Sequence, residues 1–176
     1  MPRANVVGEI NRGWDIAITT LMHERQTLTF SRQLQSRVAL DQLLARVRSG
    51  AHRERPAAAQ PVLRQKLAAA YIESQTMKYT ALRNLTRALR GAVPGPEGSI
   101  ETLFWSEMYQ RMLETALEAL GPFAQLVKGS SYAVDAGYWI HLFLYSRGRT
   151  IAAGSSEIQR NIIAERVLGL PRTRQA

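Results

Sequence analysis

Cysteine is absent from all 176 residues, which excludes a disulfide framework and a thiol nucleophile. Histidine is scarce, and His23, His52 and His141 stand too far apart to form a metal-ligand motif. The β-branched and aromatic runs that strands prefer are also missing, while Ala, Leu and Arg abound, so the composition favours an all-helical chain. No apolar run approaches the roughly 18 residues a membrane-crossing helix needs, and the N-terminus lacks a charged-then-apolar signal pattern. The expectation is a cytoplasmic protein with no membrane span.

Acidic residues are outnumbered, with 14 Asp and Glu against 23 Lys and Arg for a net charge of +9. That surplus suits an anionic partner, whether nucleic acid, an acidic membrane surface, or a phosphate-bearing cofactor or substrate. The length is sufficient for one domain with a hydrophobic core.

Apolar residues recur at helical spacing from Trp14 to Arg48, through Ile18, Leu21, Met22, Leu28, Leu34, Val38, Leu40, Leu43 and Leu44, which predicts one long helix. Ser49-Gly50 ends it, and residues 51–60 read as a loop. Pro61 opens a second long helix with Leu63, Leu67, Ala70, Tyr71, Thr76, Tyr79, Leu82, Leu85 and Leu89 on one face. The glycine- and proline-rich residues 91–98 break the chain. Ser99 then serves as N-cap of a third helix running to Leu120, with Leu103, Phe104, Met108, Met112, Leu113 and Leu117 as core candidates.

Beyond Gly121-Pro122, an aromatic-rich segment from Ala133 to Ser146 and a last helix from about Ser155 to Leu168 complete the set. Ser156 and Gln159 have capping-box spacing, and Gly169 with Pro171 supplies the stop. Two helices of about thirty residues need each other's apolar faces, so an up-and-down helical bundle is the expected architecture.

Three features bear on chemistry. Glu24 lies among Leu21, Met22 and Leu28, where partial desolvation would raise its pKa, although a helical glutamate beside Arg25 is more often a solvated surface group. The Gly154-Ser155-Ser156 run opens a helix with free backbone N–H groups able to meet an electron-rich ligand, although capping alone accounts for such serines. Arg160, Arg166, Arg172 and Arg174 form a basic C-terminus, without the aromatic interleaving or helix-turn-helix pattern of a nucleic-acid reader.

The stretch Ala153-Gly-Ser-Ser-Glu-Ile-Gln-Arg-Asn-Ile-Ile-Ala-Glu-Arg-Val-Leu-Gly-Leu-Pro-Arg172 resembles the closing Gly-Thr-Ser-Glu-Ile-Gln-Arg motif of the acyl-CoA dehydrogenases and the helix after it. Val6-Val7-Gly8-Glu9, Gly13-Trp14 and Leu21 to Arg25 are similar to that family's passage from its middle β domain into its first long C-terminal helix. The resemblance covers nearly the whole chain but only the last part of the family's three-domain polypeptide. It implies that residues 1–12 correspond to the exit from a β domain and residues 13–176 to the C-terminal helical bundle.

What the resemblance implies about activity is FAD-dependent α,β-desaturation of an acyl-CoA thioester. In that family a carboxylate takes the α proton while the β hydrogen leaves as hydride to the flavin, and a second flavoprotein accepts the electrons. Most members carry the glutamate where this chain has Ala153. A smaller, isovaleryl-CoA dehydrogenase-like group takes it from the first long helix, at the position of Glu24, which makes Glu24 the candidate base. By the same match Ser155, Ser156, Glu157 and Gly121 correspond to FAD-contacting positions, and Met22, His23, Arg25, Ala153 and Gly154 to positions near the substrate.

Two departures stand out. The family's arginine followed by Phe-Gly is replaced by residues 48–55, leaving Arg48 or Arg53 as the available cation, and the Gly-Gly turn near the adenine end of FAD has become Leu120-Gly121-Pro122, where proline offers no N–H. The chain is expected to be weak or inactive alone and to join a homo- or hetero-oligomer of acyl-CoA dehydrogenase subunits. The competing readings are a noncatalytic structural subunit of such an oligomer, a truncated remnant, and a basic nucleic-acid-binding bundle.

Overall fold

Residues rich in helix formers and free of internal proline run from Gly13 to Ser49 and form one uninterrupted helix, α1, in a computed structural model of the chain. The structure describes residues 2–49, 60–92 and 95–172, and within α1 it leaves aside the side chains of Met22, Arg25, Gln26 and Thr27. Pro61, whose missing N–H costs nothing in a first turn, opens α2 (Pro61–Leu89), and α3 spans Glu97–Leu120. Two shorter helices follow, α4 (Tyr138–Arg147) and α5 (Ser156–Ile162), the latter running into a π-helical turn over Ile163–Val167. No strand occurs among the described residues, as the composition anticipates.

The direction of each long helix can be read from its polar partners. Between α2 and α3, Lys66 pairs with Glu118, Glu73 with Arg111, Asn84 with Glu101 and Arg87 with Glu97, so one chain descends as the other rises. Between α1 and α3, Thr29 meets Glu101, Arg32 meets Thr102 and Ser36 meets Trp105, so both ascend together. The three therefore run up, down and up. Each exposed ion pair contributes at most about 1 kcal/mol, and their joint effect is to define one register rather than to hold the bundle together.

Stability comes from the apolar centre. Ala39, Leu40, Leu43 and Val47 of α1, Leu63, Leu67, Ala70 and Met77 of α2, and Trp105, Met108, Met112, Leu113 and Ala116 of α3 are buried in one cluster, which Val134 and Trp139 join from the α4 side. Helix α4 is tied to α3 by Gln110 Nε2, which donates to the Ser146 carbonyl at 3.0 Å, and by an Arg147–Glu114 ion pair. Arg160 of α5 pairs with Glu107 of α3.

Several sequence expectations are corrected by this packing. Ser99 is not an N-cap: α3 begins two residues earlier and Ser99 is fully buried inside its first turn. The face assigned to α2 holds only over its first half. Past Ala70, the buried positions are Ser74, Met77 and Ala81, while Tyr71, Tyr79, Leu82, Leu85 and Leu89 are exposed. The aromatic segment starts as a single turn, Val134–Gly137, before α4 proper. Residues 135–137 carry φ of 48°, 53° and 80°, and a Cβ on Gly137 would stand 2.5 Å from the Lys128 nitrogen, so this tight crossing needs glycine.

The first half of α1 departs most from expectation. No described side chain before Thr29 is buried, and Trp14 is 75% and Leu21 41% exposed. The reason is length. At about 1.5 Å per residue the 37 residues of α1 reach about 56 Å, against about 44 Å for the 29 of α2, so α1 outruns its neighbours. Among the described residues no helix is long and apolar enough to cross a membrane.

Candidate functional site

The loop leading into α5 is held by one buried side chain. Gln159 is 1% exposed, and its Nε2 donates to the carbonyls of Ala153 at 2.9 Å and Gly154 at 3.1 Å. These bonds fold the loop back over α5 and impose positive φ on both residues, 58° at Ala153 and 96° at Gly154. Glycine tolerates this freely, whereas alanine bears a cost of about 1–2 kcal/mol. A Cβ on Gly154 would fall 2.7 Å from the Gln159 amide nitrogen, so the second position admits only glycine without displacing that bond.

Ser155, not Ser156, caps the helix: it takes extended geometry and its Oγ accepts the Ile158 N–H at 3.5 Å. The expected pairing of Ser156 with Gln159 is therefore corrected, because the glutamine is committed to the loop carbonyls. Ser156 is buried, and neither its Oγ nor the Oε1 of Gln159 has a partner among the described residues. The Glu157 carboxylate, in the first turn, is held below its ordinary range by its own backbone N–H and by the Ser155 hydroxyl.

Glu24 and His23 are both exposed on α1. The exposure of Glu24 agrees with the solvated-surface reading of its sequence context rather than with partial desolvation. The side chains of Met22 and Arg25 fall outside the described residues, as does Arg53, whereas Arg48 is exposed in the last turn of α1. Gly121 ends α3 with φ 75° and ψ −164°, its N–H bonded to the Leu117 carbonyl, and Pro122 opens the next turn. It stands eleven residues, about 16 Å along the helix, beyond Gln110, which contacts Thr150 near the α5 loop. Gly121, at the end of α3, and the loop that follows Thr150, near the middle of α3, thus lie apart.

Sequence reasoning overlooked a polar cluster between these candidates. Glu101 is only 4% exposed, accepting from Thr29 Oγ1 at 2.5 Å and from Asn84 Nδ2 at 2.6 Å. Burial raises its pKa, and the two hydrogen bonds and the charges of Arg83 and Arg32 oppose the shift. Beside it, Arg32 Nη1 donates to Thr102 Oγ1 at 3.3 Å and the guanidinium lies 4.8 Å from the Trp105 ring centroid. Arg149, in the turn between α4 and the loop, lies 5.6 Å from the same ring. A signal for Glu101 was present, since Glu101, Trp105, Met108 and Met112 recur at helical spacing on the buried face. Arg149 carried none, because its position depends on how the turn after α4 folds back.

Arg32 also links the two main candidates electrostatically. Its guanidinium feels both the Glu24 charge, two turns earlier in α1, and that of Arg149, four residues before Ala153. No group of three or more potential metal ligands occurs among the described residues.

An all-α bundle that closes on a glycine-serine loop of this kind defines a recognisable class of domain. Residues 11–168 match the family model described as acyl-CoA dehydrogenase, C-terminal domain. The chain belongs to this family. It is 34% identical over 168 residues to the acyl-CoA dehydrogenase IpdE1 of Mycobacterium tuberculosis and 33% identical to that of Mycolicibacterium smegmatis. These alignments cover 95% of this chain but 40% and 39% of the relatives, so the chain spans about two fifths of their length. Among solved structures, a Tcur3481-Tcur3483 steroid acyl-CoA dehydrogenase superposes with a TM-score of 0.83 at 26% identity, over 98% of this chain and 44% of the other. The ChsE4-ChsE5 complex from Mycobacterium tuberculosis shares the fold, with a TM-score of 0.74 at 23% identity over 99% of this chain and 44% of that one.

Proposed function

We propose that this chain supplies the C-terminal helical domain, residues 13–176, of an assembly that carries out FAD-dependent α,β-desaturation of an acyl-CoA thioester, with residues 1–12 as the passage from a β domain. The observation that carries the proposal is the α5 loop: Ala153 in left-handed backbone, Gly154 pinned by Gln159, and a Ser155 cap, in the motif that the family shares. A small residue at 153 leaves the base to come from elsewhere, and Glu24 is that base.

The unpartnered, buried Oγ of Ser156 and Oε1 of Gln159 fit a polar ligand at this loop, and Ser155, Ser156, Glu157 and, at the other end, Gly121 would hold FAD. The separation of Gly121 from the loop suits an extended dinucleotide. When bound, FAD would supply the acceptor for the β hydrogen, with an acceptor flavoprotein as the partner that takes up the electrons. The chain's own residues do the rest: Ala153 and Gly154 leave room for the thioester, Met22, His23 and Arg25 flank the base in sequence, and the Glu24 carboxylate takes the α proton.

Proton abstraction by a carboxylate gains from exclusion of water, and Glu24 stands on the exposed part of α1. Trp14, Ile18 and Leu21 around it are exposed as well. A dehydrogenase subunit that covers these turns would provide the missing shell, so the active form is a homo- or hetero-oligomer. The test is coexpression with a full-length acyl-CoA dehydrogenase. A flavin-bearing complex that loses turnover by at least a hundredfold in Glu24→Gln, with its flavin spectrum intact, supports the assignment. Retained turnover in that variant overturns Glu24 as base, and identifies the chain as a structural subunit.

A further inference from the structure

Six arginines of α1 to α5 have a carboxylate partner: Arg37 has Asp41, Arg46 has Asp135, Arg87 has Glu97, Arg111 has Glu73, Arg147 has Glu114 and Arg160 has Glu107. Arg32 and Arg149 differ. Both are half-buried, both lie against the Trp105 indole, at 4.8 and 5.6 Å from its centroid, and neither has a described carboxylate within ion-pair distance. Their partners are neutral or aromatic. Arg32 donates to the Thr102 hydroxyl at 3.3 Å, and Arg149 donates to the Tyr145 hydroxyl at 3.0 Å with its guanidinium 4.4 Å from the Tyr145 ring.

Two cations against one ring repel each other, and of the two carboxylates whose charge reaches Arg32, Glu24 stands exposed two turns earlier in α1 and Glu101 is turned to Thr29 and Asn84. Burial, and then the charge of Arg149, push the Arg32 guanidinium below its ordinary value. Trp105 is itself only 2% exposed and fixed by its N–H to Ser36 Oγ at 2.9 Å, so the ring that both arginines lie against is held in place. Guanidinium groups that keep N–H donors unspent match the two-oxygen edge of a carboxylate or phosphate.

We propose that Arg32 and Arg149, seated on Trp105, form a binding site for one oxyanion group of a ligand, a carboxylate or a phosphate. The site lies eight residues, about 12 Å of helix, from Glu24 and four residues before Ala153, so a ligand in the loop region could place an anionic group here. The inference does not rest on the dehydrogenase assignment, because the two arginines would bind such an anion whether or not Glu24 is a base.

Titration calorimetry of the full 176-residue chain at low ionic strength tests it, with inorganic phosphate and with glutarate as separate probes and chloride as the control anion. Saturable binding of either probe that weakens at least tenfold in Arg149→Gln and in Arg32→Gln supports the site. Tighter phosphate points to a phosphoryl group of the ligand, and tighter glutarate to an acyl-borne carboxylate. Arg149→Lys, which keeps the charge and loses the fork, should fall between wild type and Arg149→Gln, and circular dichroism confirms that each variant is folded. Absence of saturable binding by both probes, or binding unchanged in folded Arg149→Gln, overturns the proposal.

Discussion

The hydroxyl of Thr29 donates to the carboxylate of Glu101 at 2.5 Å, joining α1 to α3 at a point where both residues are at most 4% exposed. Asn84 reaches the same carboxylate from α2, so one acidic group ties the three long helices together.

This arrangement gives a pH signature. The folded-state pKa of Glu101 is raised above its ordinary value of 4.5, chiefly by burial, so the folded protein binds the proton more tightly than the unfolded chain. Stability contributed by this group therefore increases as pH falls from neutrality through the raised pKa toward 4.5, and is lost as pH rises. Glu101→Gln should remove this slope and be neutral or stabilising at pH 7, whereas Glu101→Ala should cost about 1–3 kcal/mol by stranding its donors. Urea melts of the three proteins between pH 4.5 and 8 give the comparison.

Gln159 provides a second prediction. Gln159→Leu keeps the volume but removes both donors to the Ala153 and Gly154 carbonyls, and should destabilise by about 1–3 kcal/mol while freeing the loop. Ala153→Gly should act the other way on the same loop, relieving the positive φ for a gain of about 1 kcal/mol less its added unfolded-state entropy. Thermal melts report both effects, and identical behaviour of Gln159→Leu and wild type would show the bonds to be unimportant.

Core and exposed leucines separate in a third. Leu43 is fully buried and Leu34, on the same helix, is 61% exposed. Truncation of Leu43 to Ala should cost about 2–5 kcal/mol, whereas Leu34→Ala should stay within about 0.5 kcal/mol in the chain alone. Should the proposed subunit interface cover Leu34, that variant would weaken assembly instead, which sedimentation of the complex would register.

The same contrast explains what the sequence disclosed. The helices themselves were legible, because caps, breakers and periodicity are local: Pro61, Gly91 and Gly121 mark boundaries where the structure has them. Burial was more legible on α3, which packs against both other long helices: Met108, Met112 and Leu113 are buried, and Leu103, Phe104 and Leu117 are partly buried. It was misread at Trp14 and Leu34 of α1 and at Tyr79 and Leu85 of α2, which have core-like spacing but are exposed. The loop of the candidate site was visible as a motif. Its mechanics were not, since the choice of Ser155 as cap depends on where Gln159 points, and the meeting of Arg32 with Arg149 depends on two elements more than a hundred residues apart.

The overhang of α1 has a consequence for the order in which the molecule opens. Backbone hydrogen bonds in turns before Leu28 are backed by no buried side chain that the structure describes, whereas those around Leu40 and Leu43 lie beneath the core. Hydrogen exchange should therefore divide one continuous helix into two kinetic classes, with amides near Asp15 to Thr20 exchanging through local fraying and those from Ala39 to Val47 only through global unfolding. Glu24 belongs to the segment that opens first. A partner that docks there would slow exchange selectively in that half of the helix, making the amides around Glu24 a direct reporter of assembly.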